Sequence, residues 1–189
     1  MKYTLKFRIW HWLNAFVVLG LLGTVFLRKT FLSWRTNSEI LMGKLTEFDI
    51  VVSAEQAKIL AKSVRAGMWE WHIILGYALA FFMLYRIYLY FADTSVREKF
   101  SELDLHKKGV KIIYFLMYAT LFFMTVSGLA IHFYQELGMS KDFAHDIKEI
   151  HEAVYNILLV TVPLHIAGVV FADATKEKGL ISRMIHGRE

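Results

Sequence analysis

HEAVYNILLVTVPLH, residues 151–165, begins and ends with histidine and is almost wholly apolar between them. Two imidazoles in a segment that otherwise avoids water need a reason. An α-helix rises ~1.5 Å and turns ~100° per residue, so a separation of fourteen positions sets His151 and His165 roughly 21 Å apart along the axis. The same arithmetic leaves the two side chains within about 40° of one another. The stretch reads as a helix with one stripe that presents an imidazole at each of two depths.

The rest of the chain indicates that the depth is that of a bilayer. Of 189 residues, 56% are hydrophobic, the mean hydropathy is +0.41 and there is one proline. A hydrocarbon core of ~30 Å calls for ~20 mostly apolar residues per helix. Four segments meet that length, about 9–27, 68–92, 110–133 and 150–172. The expected fold is all-α: a single membrane domain over residues 1–189, built as an integral membrane four-helix bundle. A soluble bundle with long buried helices is the competing reading, and the segment lengths favour the membrane. Before Arg28 and Lys29 there is no small-residue cleavage site, so the first span is expected to remain as an anchor. Cysteine is absent, which excludes disulfides, iron–sulfur clusters, thiolate zinc sites and haem attached through C-x-x-C-H.

Four spans put both termini on one side. That side carries Lys2, Lys6, Arg8, Arg97, Lys99, Lys107, Lys108, Lys176, Lys178, Arg183 and Arg188. The longer loops opposite carry Arg28, Lys29, Arg35, Lys44, Lys58, Lys62, Arg65, Lys141 and Lys148. The positive-inside rule therefore favours a multi-pass protein with both termini in the cytoplasm. The formal charge of +5 is explained by flanks that face anionic lipid, and no nucleic acid is needed. The first outer loop is far longer than a tight connection. Its second half, SAEQAKILAKSVRAG (53–67), opens with a Ser-x-x-Gln capping pattern at Ser53 and Gln56. Ala57, Leu60, Ala61 and Val64 then share a face, as in an amphipathic helix lying at the outer membrane surface. It would serve as a docking surface for a partner or as a lid over the bundle.

Direction assigns the remaining imidazoles. His11 begins the first span near the inner side, and His72 begins the second near the outer side. Depth alone pairs His72 with His151 at the outer face and His11 with His165 at the inner face. Paired imidazoles without cysteine point to two non-covalent b haems with bis-histidine ligation, each iron bound from two helices. With both axial positions filled, such a haem transfers electrons. Against this, each histidine could simply hydrogen-bond a neighbouring helix. A zinc pathway would want carboxylates, and only Glu70 and Glu152 lie nearby. The third span contributes no histidine in its middle and is expected to serve as packing. His106 and His186 read as solvated, and His132 and His145 could flank the outer haem or a quinone.

Four motifs carry a resemblance that covers nearly the whole chain. They are RIWHWLNA (8–15), HIILGYALAFFMLYR (72–86), TVSGLA (125–130) and the His-x13-His of the fourth span. Together they resemble the bacterial cytochrome b561 family and the b-type cytochrome subunits of nickel–iron hydrogenases. The resemblance implies two b haems on His11, His72, His151 and His165. It further implies electron traffic between quinone and an extracytoplasmic partner, such as a periplasmic dehydrogenase or a c-type cytochrome. Family members include superoxide oxidases that reduce quinone, but those have a short first loop. The long loop here favours a partner-docking cytochrome over a self-sufficient superoxide:quinone oxidoreductase. A non-redox haem or metal transporter is the third reading.

Neighbouring residues acquire roles from haem chemistry. Haem propionates need cations, and Arg8 and Arg86 are placed for the inner haem, with snorkelling to lipid phosphate as the alternative. Gly76, one turn beyond His72, would let a porphyrin approach the backbone. Gly20, Gly23, Gly128 and Gly168 could do the same or simply pack helices. Pro163 removes a helix hydrogen bond and is expected to tilt the lower half of the fourth span. Trp10, Trp12, Trp69 and Trp71 cluster at span ends as an interfacial belt.

Overall fold

The structure is a computed structural model that describes residues 3–92 and 105–187. Lys2, Arg97, Lys99 and Arg188 of the orientation argument lie outside the described residues, as does the His106 side chain. The described chain is all-helical: α1 (Leu5–Lys29), α2 (Trp34–Thr46), α3 (Ala54–Ala92), α4 (Leu105–His132), α5 (Lys141–Ala174) and α6 (Leu180–His186). Four of these, α1, α3, α4 and α5, are long and apolar enough to cross a membrane. Their flanks present large apolar side chains outward: Phe16 is 68% exposed, Phe115 69% and Phe171 66%. In water such continuous apolar surface would drive aggregation. In lipid it is the expected exterior of helices that satisfy their own backbone. The soluble-bundle alternative is set aside on this ground.

Each long helix continues past its apolar stretch into polar turns. Residues 53–67, expected as a separate surface helix, are instead the opening turns of α3. The capping box is formed, with Ser53 N donating to Gln56 Oε1 at 2.8 Å and Gln56 N donating to Ser53 Oγ at 3.2 Å. The helix runs on through Gly67, since a lone helical glycine costs only ~1 kcal/mol. The 39 residues of α3 span roughly 58 Å, well beyond a ~30 Å hydrocarbon core. α5 starts at a Ser140 cap whose hydroxyl accepts from Phe143 N, and it runs through Pro163 without interruption.

The chain divides into two compact units, residues 16–78 and residues 1–15 with 79–189, so the division cuts across α1 and α3. In the first of these, the loop after α1 folds as α2, a helix that the sequence reading did not anticipate. Trp34 at its start gathers three cations over its ring, Arg35 at 4.9 Å, Lys58 at 5.8 Å and Lys62 at 5.9 Å. Ala57 and Ala61 are fully buried, whereas Leu60 and Val64, expected on the same face, stay exposed, so only part of the apolar face of the early α3 turns is covered. In the other unit, α4 packs along α5 and α6 folds back on the chain. Asp173 Oδ1 accepts from Ile181 N at 3.0 Å, and Trp12 Nε1 donates to Met184 O at 3.3 Å. α6 ends at Gly187, whose φ of 73° suits glycine, and a Cβ there would collide with the Arg8 guanidinium.

Candidate functional site

His11 on α1 and His165 on α5 lie in one unit and face each other, ring centroids 6.3 Å apart and planes inclined at 60°. That gap is too wide for a direct nitrogen–nitrogen hydrogen bond. It is the width of one metal ion, since two metal–imidazole bonds of ~2.0 Å hold ring centroids roughly 6 Å apart. Aromatic rings confine both. Phe7 lies against His11 at 6.4 Å and 28°, Trp12 meets it edge-on at 5.5 Å, and Tyr114 meets His165 edge-on at 6.0 Å.

His151, in the same unit, is placed by α4. Its Nδ1 is 2.8 Å from Ser127 Oγ, and that hydroxyl also donates to Phe123 O at 2.7 Å. A Cβ on Gly128 would lie 3.4 Å from His151 Cε1, so the absent side chain is what lets the ring lie close to α4. The third span was expected to act only as packing. It does more, and Ser127 with Gly128, inside the quoted TVSGLA, seats an imidazole.

His72 belongs to the other unit, where α1 supplies its partner. Thr24 Oγ1 is 2.7 Å from His72 Nδ1 and donates to Leu21 O at 2.7 Å. Trp69 meets the His72 ring edge-on at 5.2 Å. Thr24 and Ser127 were both missed in the sequence. The available signal was a hydroxyl inside an otherwise apolar span, but most such hydroxyls only bond back to their own helix.

The residues present fit haem. Beyond the His11–His165 spacing, a Cβ on Gly76 or on Gly168, each about one turn past a histidine, would meet no other protein atom within 4 Å. Gly20 differs, because a Cβ there would press on Leu75 Cδ1 at 3.0 Å, so its smallness serves packing. Of the two arginines, Arg8 has a buried Nε with no hydrogen-bond partner among the described residues. Arg86 is enclosed, with Phe7, Trp10 and Tyr118 at 5.3, 5.5 and 5.1 Å and its Nε donating to Tyr118 Oη at 3.3 Å. His145 is solvated and lies 3.7 Å from Glu149, while His132 stacks edge-on against Phe133 at 4.7 Å. Among the described residues, no three histidine, aspartate or glutamate side chains converge as a metal site.

The family model for prokaryotic cytochrome b561 matches residues 2–187. The chain belongs to the prokaryotic cytochrome b561 family. No curated protein and no solved structure matches it. As a cytochrome b561 it is a membrane b-type cytochrome, a class that binds haem and transfers electrons. The all-helical chain with four apolar helices agrees with the membrane helical bundle of cytochrome b561.

Proposed function

We propose that this cytochrome passes electrons between the quinone pool and an extracytoplasmic redox partner, from the inner membrane, with both termini in the cytoplasm. His11 and His165 hold one haem, and His72 and His151 hold the second, a pairing supported by the depth of each histidine along its span. The observation that carries the proposal is the 6.3 Å separation of the His11 and His165 rings on two different helices. Haem held by these histidines would supply one-electron chemistry. The chain's own groups supply its surroundings. Phe7, Trp12 and Tyr114 restrict the inner rings, Arg8 offers a cation to a propionate, and Gly76 and Gly168 leave room at the backbone. The helical first loop supports the relay reading over the superoxide:quinone alternative, since α2 and the early turns of α3 add folded surface beyond the spans.

The test is a haem-to-protein ratio on the purified full chain, with oxidised and reduced visible spectra taken with and without carbon monoxide. Two b haems per chain, low-spin and indifferent to carbon monoxide, are expected. A chain that carries no haem would overturn the proposal and bring back the transporter.

A further inference from the structure

We infer that Thr24 and Ser127 are positioning residues that hold His72 and His151 as the Nδ1–H tautomer and so present Nε2 to iron. The inference rests on the dihaem reading and adds to it the groups that prepare two of the ligands.

A hydroxyl has one hydrogen to donate. Thr24 Oγ1 lies 2.7 Å from Leu21 O, and Ser127 Oγ lies 2.7 Å from Phe123 O with Met124 O at 3.4 Å. A carbonyl oxygen only accepts, so each hydroxyl proton is spent on its own helix. The same oxygens sit 2.7 Å from His72 Nδ1 and 2.8 Å from His151 Nδ1, and there they can only accept. Each Nδ1 therefore carries the ring proton, and each Nε2 keeps its lone pair. Thr24 is 7% exposed and Ser127 5%, so no solvent competes for these bonds.

The two cases are independent. They use different hydroxyl residues on different helices, α1 and α4, and each is complete within its own compact unit. Bonding back to the helix would satisfy a hydroxyl by itself. The second contact, to an imidazole that is expected to bind iron, goes beyond what helix packing asks. An acceptor on Nδ1–H fixes the ring's rotation and makes Nε2 more basic. A more basic ligand favours ferric over ferrous iron and lowers the reduction potential.

Purified full-chain S127A, S127T, T24V and T24S are to be compared with wild type by haem-to-protein ratio and by a spectroscopic redox titration. Thr24→Val keeps the side-chain shape, so it removes the hydroxyl without opening a cavity. S127A and T24V are expected to weaken haem retention at one site by about 10- to 100-fold and to move that haem's midpoint upward. S127T and T24S are expected to restore both properties. Wild-type titration curves and haem content in both S127A and T24V would overturn the inference and leave the dihaem reading intact. So would S127T and T24S behaving as S127A and T24V do, since packing rather than the hydroxyl would then be the cause. A wild-type ratio below two, read before any variant, would instead remove the dihaem reading and this inference with it.

Discussion

Around His11 and His165 the neighbours are rings, whereas His151 and His72 each have a buried hydroxyl on Nδ1. Among the described residues, no hydrogen bond reaches the ring of His11 or His165. Aromatic walls limit where an imidazole can lie but leave its ring proton unassigned. A hydroxyl acceptor sets both the ring rotation and the tautomer. One histidine pair is thus prepared by shape, and the other two histidines by a hydrogen bond. The two environments rank the haems, because ligands with an acceptor on Nδ1–H are the more basic. The haem on His72 and His151 should therefore have the lower potential, other influences on iron being equal.

The largest expected effects come from the ligands themselves. His165→Ala and His11→Ala should each lower the haem content from two per chain to one and leave the same haem behind. His151→Ala and His72→Ala should each leave the other one. Spectra and redox titration of the four single variants check this. If His11→Ala and His151→Ala removed the same haem, the pairing would be broken and the contrast between the two environments would lose its meaning. Next in size is Gly76→Val. A Cβ at Gly76 meets no protein atom within 4 Å, so the apoprotein should tolerate the change. Haem at His72 should be displaced, because the added branches would occupy the space a porphyrin needs. Full haem content in Gly76→Val would show that the porphyrin does not pass that backbone.

Much of the fold was legible because membrane spans are written in length and apolarity. Where the helices end was less so. Hydropathy marks where the apolar stretch stops, but the backbone hydrogen bonds of α3 continue through Lys58, Lys62 and Arg65 because nothing there breaks a helix. α2 carries no sustained apolar face, and that is why a hydropathy reading passed over it. The candidate histidines stand out in the sequence because an imidazole in an apolar span is rare and its depth is countable. Thr24 and Ser127 were hidden for the opposite reason. A hydroxyl inside a span is common, and only the approach of a second helix tells a packing serine from one that holds an imidazole. Arg86 was only partly legible in a similar way. Its position near the inner end suggested a propionate, but position could not reveal that three rings from α1 and α4 close around it.

That cage yields the smallest of the expected effects. Phe7, which lies against His11, and Trp10, which is 2% exposed and donates Nε1 to Phe82 O at 2.8 Å, both pack on the Arg86 guanidinium. Each cation–π contact is worth ~0.5–2 kcal/mol. The three share one cation and do not add, so Arg86→Met should cost about 2 kcal/mol of stability. Thermal unfolding of the purified holoprotein measures this loss. Arg86→Lys should recover only part of it, because an ammonium group lacks the planar face that stacks on rings. Both variants should keep two haems, with the His72–His151 titration unmoved and any shift confined to the haem on His11. Selective loss of that haem in Arg86→Met, with stability unchanged, would reverse this reading of the cage. The arginine would then be acting on a propionate, and the ring-walled site would depend on charge as well as on shape.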